Sequence, residues 1–227
     1  MLRNPSRKLC TAPRARRVHC TETPQGVEQL HDPSVDLWLW QRTLSRLLSD
    51  SAARLAARPF ALRLSVAAAA PRVPLTDALD RAGVDERSLH LWAHELSTMV
   101  ELLGRLGHSE VLVRLEGGSR VGAAPRYHVD GTSVRLLCTY AGPGTEWLPE
   151  HAVDRRQLKR RRSHPPPTSS RIARHPRAVQ RTQPGWVAII RGASGESALR
   201  RGLVHRSPAS TVPRLRLRID PAAERSA

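Results

Sequence analysis

The chain has 227 residues, of which 40% are hydrophobic, and its formal net charge is +17. This length gives room for one good-sized domain or for a domain with a helical extension. No apolar run approaches the roughly 20 residues of a transmembrane helix, and no hydrophobic stretch follows the basic N-terminus, so no secretory signal is expected. The three cysteines are odd in number and lack CxxC spacing. This argues against a disulfide framework and favours a reducing, cytoplasmic location.

The positive charge is concentrated in two segments. Residues 3–17 hold six basic residues and no acidic ones, and residues 155–181 hold ten basic residues and no acidic ones, which leaves the rest of the chain close to neutral. We interpret both segments as solvated and mobile. Weak, salt-sensitive contact with RNA or DNA is the alternative. Neither segment carries the interleaved aromatic side chains that stack on bases, so nucleic acid is not the expected partner.

The first half of the chain is predicted to be mainly helical. Residues 1–33 are polar, basic and without periodicity, so we expect a disordered N-terminus. Ser34 is a suitable N-cap for a following apolar stripe, and Asp85 is a suitable N-cap for a second long helix. Residues 60–66 alternate and are compatible with one short strand. We therefore assign residues 34–108 to a helical N-terminal part.

The second half shows the short alternating or apolar runs between turn residues that are typical of strands. These runs lie at residues 110–115, 126–129, 133–140, 185–190, 203–205 and 214–219. A Pro- and Arg-rich insertion at residues 157–183 cannot bury a core and is predicted to be disordered. Residues 221–227 are a tail. We predict an α+β fold in which N-terminal helices pack on a C-terminal double-stranded β-helix, a jelly-roll or cupin-like barrel, over residues 109–220.

His128 and Asp130 are two residues apart, so on a strand their side chains point to the same face. His205 lies on a separate predicted strand and can close on them from a second side. Two histidines and one carboxylate form the facial triad that holds a divalent metal such as iron(II) and leaves open positions for substrate and oxygen. The alternative is that His128 and His205 are ordinary strand residues, with His128 paired to Asp130 in a salt bridge.

Three further residues are candidates for the same site. Arg214 begins the strand after His205, and its guanidinium is suited to bind a carboxylate through two hydrogen bonds. Arg135 and Tyr140 lie on the strand next to the ligand strand and are interpreted as catalytic residues lining the cavity. The alternative for both is barrel packing and surface charge. The layout of His-x-Asp, distal His and later Arg resembles iron(II)- and 2-oxoglutarate-dependent dioxygenases, which implies Arg214 as the contact for the distal carboxylate of 2-oxoglutarate.

A second resemblance covers roughly residues 34–220. Its blocks are Pro125–Asp130, Arg135–Tyr140, Gly142–Leu148, Val153–Arg155, Val204–Pro208 and Arg214–Asp220. They are similar to a bacterial family of unknown function whose members are often encoded beside CobW-type metallochaperone GTPases and zinc-responsive genes. The resemblance implies no established activity, but it implies that the proposed ligands lie in the family's motif blocks and suggests a link to metal homeostasis.

Three functions follow as hypotheses. The first is an oxygenase of the iron(II)/2-oxoglutarate type, with His128, Asp130 and His205 as metal ligands. The second is a non-catalytic protein that uses the same ligands for zinc storage or delivery, because three ligands with open positions suit zinc as well as iron. The third is nucleic-acid binding through the basic loop at residues 155–181. The sequence does not identify a substrate.

Overall fold

The structure is a computed structural model that describes residues 17–119, 124–159, 172–193 and 202–222. Ten strands lie in these ranges: β1 (Arg17–Thr21), β2 (Val35–Trp40), β3 (Phe60–Ala67), β4 (Glu110–Gly118), β5 (Val134–Ala141), β6 (Glu146–Leu148), β7 (Gln180–Arg181), β8 (Val187–Arg191), β9 (Val204–Arg206) and β10 (Arg214–Pro221). The α-helices of the same ranges are α1 (Arg46–Ala56), α2 (Arg72–Arg81), α3 (Glu86–Arg105) and the short α4 (Arg155–Lys159). Each of these helices is too short or too polar to cross a lipid bilayer.

Seven strands form one large sheet in the order β1-β2-β8-β5-β10-β4-β3. Every neighbouring pair is antiparallel except β1 and β2, which are parallel. The remaining strands form a small sheet in the order β7-β6-β9. The fold is therefore a mixture of helices with a large, mainly antiparallel sheet.

Helices α1, α2 and α3 cover one face of the large sheet. Ser45 caps α1 by accepting a hydrogen bond from the Leu48 amide, and Asp85 caps α3 in the same way for Ser88. On β5 and β10 every second side chain is apolar and packs into this core. These side chains are Val134, Leu136, Cys138, Tyr140, Leu215, Leu217 and Ile219. The alternation leaves the other side chains of both strands for the opposite face.

The opposite face has two unlike halves. Over β2, β8 and β5 this face is apolar and packs against Trp147 of the small sheet and against Leu203, the residue before β9. The cluster consists of Leu37, Leu39, Leu137, Trp147, Ala188, Ile190 and Leu203. Over β10, β4 and β3 the side chains on this face are mostly charged. They include Arg63, Arg114, Glu116, Arg216, Arg218 and Asp220. The small sheet thus closes half of the face, and the site described below lies near the boundary.

The structure corrects the predicted helix that begins at Ser34. Residues 35–40 form strand β2, and five of its six side chains are buried. A strand that is buried on both faces has a nearly continuous apolar run, which periodicity does not distinguish from a buried helix. The first described residues, 17–21, form strand β1 where we predicted disorder. The predicted helical part at residues 34–108 thus also contributes β2 and β3 to the large sheet.

The predicted disordered insertion at residues 157–183 is partly ordered. Residues 160–171 lie outside the described residues. After them, Ala173 forms a bridge with Val153, and β7 pairs with β6. The predicted tail at residues 221–227 is described only up to residue 222, and its first residue, Pro221, ends β10. The C-terminal strands at 110–115, 133–140, 185–190 and 214–219 are confirmed with shifts of a few residues at their ends.

Candidate metal centre

His128 and His205 are joined directly through the backbone. The His128 amide donates to the His205 carbonyl at 2.9 Å, and the His205 amide donates to the His128 carbonyl at 3.0 Å. Instead of the predicted strand at residues 126–129, His128 forms a single isolated bridge to β9. In such a pair the side chains stand on the same face, and the centroids of the two imidazole rings are 4.4 Å apart.

Asp130 completes a cluster with the two imidazoles. Its Oδ1 is 3.5 Å from Nε2 of His128, and its Oδ2 is 3.3 Å from Nε2 of His205. One potential ligand atom from each residue lies within 4.8 Å of the others. Asp130 and His205 are buried, and His128 is partly buried. The three residues selected from the sequence are therefore brought together in space.

The second nitrogen of each imidazole faces the main chain. Nδ1 of His128 is 2.9 Å from the carbonyl oxygen of Arg126, and Nδ1 of His205 is 3.2 Å from the carbonyl oxygen of Leu203. Because a carbonyl oxygen only accepts, each Nδ1 carries a hydrogen and each Nε2 is available as a metal ligand. Metal-binding histidines are commonly oriented in this way by a main-chain carbonyl.

The carboxylate of Asp130 is buried and ionised. Burial by itself raises the pKa of Asp130, but contacts with His128, His205 and the Arg135 guanidinium outweigh burial and hold that pKa well below its usual value. Its buried Oδ2 has no hydrogen-bond partner within the described residues. A buried acceptor without a partner is costly. Oδ2 and the two Nε2 lone pairs are satisfied together by a divalent cation, so this donor set fits a metal.

Arg135 holds Asp130 from the sheet side. Its Nη1 forms an ion pair with Oδ1 of Asp130, and its Nε donates to Oδ1 of Asp220 at 2.6 Å. The Arg135 side chain is mostly buried between these two carboxylates. The sequence selected Arg135 as a catalytic residue, whereas the structure gives it contacts that orient the carboxylate of the proposed ligand. Asp220, on the last strand, was not selected from the sequence.

Arg214 lies on the same face of the large sheet as Arg135, at the other end of β10 from Asp220. It is 3% exposed, and its Nη2 donates to the Thr139 hydroxyl at 3.3 Å. Burial, with a smaller effect of the neighbouring Arg216, lowers the pKa of Arg214 to about 10. The guanidinium therefore still carries its charge at neutral pH. A buried cation beside a hydroxyl is suited to bind a carboxylate.

Tyr140 is not brought to the cluster. Tyr140 is five positions after Arg135 on the same strand, so the two side chains point to opposite faces. Tyr140 lies in the helical core, where its hydroxyl donates to Oε1 of Glu95 at 2.8 Å and its ring meets Trp92 edge to face at 4.8 Å. The predicted position of Tyr140 in the cavity is therefore corrected by the alternation of β5.

A cavity of about 720 Å³ lies beside this network, on the charged half of the sheet face. Its walls include Arg114, Arg218 and Asp220 from the sheet and Thr132, two residues after Asp130. His128, Asp130 and His205 are not part of these walls. The connection to the cluster is through Asp220, which lines the cavity and binds Arg135. The arginines of this wall were also missed, although alternating arginines at residues 214–218 were a visible signal.

Comparisons with known proteins give one family and a set of similar folds. A family model described as "Protein of unknown function (DUF1826)" matches residues 21–220. No curated protein matches the chain. A crystal structure of the dioxygenase for auxin oxidation from rice is similar over 91% of this chain and 82% of that chain, with a TM-score of 0.50 and 13% identity. The corresponding Arabidopsis thaliana dioxygenase, in complex with 2-oxoglutarate, is similar over 91% of this chain and 92% of that chain, with a TM-score of 0.48 and 8% identity.

Proposed function

The chain belongs to the family described as protein of unknown function (DUF1826), and for this member we propose a metal-dependent oxygenase-like function of the iron(II)/2-oxoglutarate type. For this function the C-terminal part of the chain would form a double-stranded β-helix. The similarity to the fold of the rice dioxygenase supports this assignment.

One observation carries the proposal. Two imidazole nitrogens and one carboxylate oxygen from His128, Asp130 and His205 converge within 4.8 Å. Two nitrogens and one oxygen on one side of a metal, with the other side open, are the donor set of non-haem iron(II) oxygenases. The orientation of both Nδ1 atoms toward carbonyl oxygens, which leaves both Nε2 atoms facing the Asp130 carboxylate, supports metal binding.

Each residue then has a role. His128, Asp130 and His205 hold the metal, and Arg135 positions the carboxylate of Asp130. Arg214, with the Thr139 hydroxyl beside it, binds the distal carboxylate of 2-oxoglutarate. Bound iron(II), with oxygen and the oxoacid as cosubstrates, supplies the oxidative chemistry. The apolar cluster that includes Leu137 and Trp147 covers the adjoining half of the sheet face.

The first test is the metal content of protein purified without oxygen. We expect about one equivalent of iron(II) after reconstitution of the native chain and its loss in His128→Ala. His94→Ala is the matched control, because His94 is an exposed histidine on α3, away from the cluster. Consumption of 2-oxoglutarate by the iron-loaded protein is the second measurement. The proposal is wrong if neither the native chain nor His94→Ala binds any divalent metal.

Zinc is the second candidate metal. The same two imidazoles and one carboxylate form the ligand set of zinc sites with an open position, so a non-catalytic protein of zinc homeostasis is supported by the same geometry. The link to CobW-type metallochaperone GTPases belongs to this second proposal. Competition between iron(II) and zinc for the native chain, with 2-oxoglutarate turnover measured for each, separates the two. Tight zinc binding without turnover in either form favours homeostasis.

A further inference from the structure

Three arginines stand side by side on the charged half of the large sheet. Arg63 on β3 pairs directly with Arg114 on β4, and Arg114 pairs directly with Arg218 on β10. We call these three residues the arginine row. Neighbouring strands are about 4.8 Å apart, so the row places three guanidinium groups over about 10 Å of the sheet. All three side chains point to the face that carries Arg135, whose guanidinium forms an ion pair with Asp130.

The row lacks matching negative charge. Arg114, Arg135 and Arg218 share the single carboxylate of Asp220, at 3.8 Å from Arg114 and at 2.6 Å from each of the other two. The side chain of Arg63 has no ion-pair or hydrogen-bond partner among the described residues. Burial, followed by the charges of Arg218 and Arg63, lowers the pKa of Arg114. Like charges directly opposite each other destabilise a sheet, so a row of this kind is favourable when an anion binds to it.

The row borders a space of suitable size. The cavity of about 720 Å³ is lined by Arg114 and Arg218 of the row, by Ser65, Ser109 and Thr132, and by the acidic residues Glu110 and Asp220. This volume is in the range of small-molecule sites, roughly 300–1,000 Å³, and guanidinium and hydroxyl groups are the usual donors to phosphate oxygens. A carboxylate is planar and is satisfied by one guanidinium, whereas a tetrahedral phosphate dianion accepts from several at once.

We propose that the arginine row binds the phosphate group of a small molecule that occupies the cavity beside it. Phosphate binding at this place does not depend on the proposed metal centre. Arg135 forms ion pairs with both Asp220 and Asp130. These contacts link the proposed anion site to the proposed metal centre. The ligand class is thus a phosphorylated small molecule.

The test is calorimetric titration of the metal-free full chain with inorganic phosphate. We expect a dissociation constant on the order of 1 mM, weakened at least about fivefold in Arg63→Gln and in Arg114→Gln, because each removes a charged hydrogen-bond donor. Arg46→Gln is the matched control, since it removes the same charge from an exposed position on α1. Arg63 is exposed on its strand, so its variant carries the test alone if Arg114→Gln does not fold.

Each of the following results overturns the inference: no phosphate binding by the native chain, equal weakening in Arg46→Gln, or tighter binding of acetate than of phosphate. If the native chain binds a single-stranded oligonucleotide more tightly than phosphate, and Arg63→Gln abolishes that binding, the ligand of the arginine row is a nucleic acid and not a small molecule. That result also overturns the inference. His128→Ala keeps the outcome separate from that of the metal proposal. It should bind phosphate like the native chain whether or not the native chain binds metal.

Discussion

His128 and His205 each donate a backbone amide to the carbonyl of the other, although neither neighbour of His128 joins the ladder. This single bridge sets the 4.4 Å separation of their rings. The geometry of the candidate metal centre therefore depends on backbone contacts around residues 128–132 as much as on the ligands themselves.

Gly192 supports that backbone. Its amide donates to the Ser133 carbonyl, and a Cβ at Gly192 would come within 1.8 Å of the Thr132 carbonyl oxygen. We expect Gly192→Ala to displace residues 130–132, to weaken metal binding at least about tenfold and to lower the free energy of unfolding by about 1–3 kcal/mol. Gly131→Ala is the control, because a Cβ there meets nothing within 4 Å. Metal titration and chemical denaturation of both variants provide the measurements. Equal behaviour of the two would contradict the support attributed to Gly192.

Arg135 should act as a positioning residue for Asp130. We expect Arg135→Gln to weaken metal affinity about 10- to 100-fold, because residues that orient a metal ligand typically have effects of that size. Arg135→Lys keeps the charge but loses the two-sided contact with Asp130 and Asp220, and should recover only part of the affinity. Native-like iron or zinc binding by Arg135→Gln would argue against this role, provided that circular dichroism shows both variants folded.

Tyr140 is expected to affect stability and not the metal centre. Removing its hydroxyl in Tyr140→Phe breaks the buried hydrogen bond to Glu95, whose charge is also bound by Arg42. The free energy of unfolding should fall by about 1–3 kcal/mol, while metal affinity stays unchanged. Urea denaturation and metal titration of the same preparation check the two statements. Loss of metal binding in a folded Tyr140→Phe protein would show that Tyr140 contributes to the metal centre.

Arg214 should determine affinity for the oxoacid. In Arg214→Gln we expect metal binding to persist, while the KM for 2-oxoglutarate rises by about 10- to 100-fold, since a charged hydrogen-bonded pair contributes about 1.5–3 kcal/mol. Arg216→Gln, two residues along the same strand, is the matched control. This prediction is measured as 2-oxoglutarate consumption by the iron-loaded variants, and an unchanged KM in Arg214→Gln would exclude the assigned contact.

Glu146 gives the protein a stability that depends on pH. Burial raises the pKa of Glu146, but its ion pairs with Arg181 and Arg206 outweigh burial and lower that pKa below its ordinary value. Its contribution to stability is therefore complete above the unfolded-state pKa of about 4.3 and is lost as the pH falls toward the lower folded-state pKa. We expect the free energy of unfolding to depend less on pH below about 5 in Glu146→Gln than in the native chain. Urea denaturation of both proteins at a series of pH values makes the comparison.

The sequence by itself determined the local pattern of this protein. The two-residue spacing of His128 and Asp130 identified a pair of candidate metal ligands on one side of the chain. The N-cap at Asp85 predicted the start of α3, and the alternation of residues 110–115 and 214–219 predicted β4 and β10. The structure confirms these three elements. These features were predictable because they depend on residues a few positions apart.

Only the tertiary structure decided how the strands are paired. Residues 35–40 are mostly apolar, which fits either a buried helix or a strand buried on both faces, and pairing with β1 and β8 selects the strand. Register, which joins residues far apart in sequence, brings His205 to His128 and Asp220 to Arg135 and aligns Arg63, Arg114 and Arg218 in one row. The alternation of side chains along β5 points Tyr140 away from the site. Local spacing carries no information on register, because register is fixed by the packing of the whole sheet.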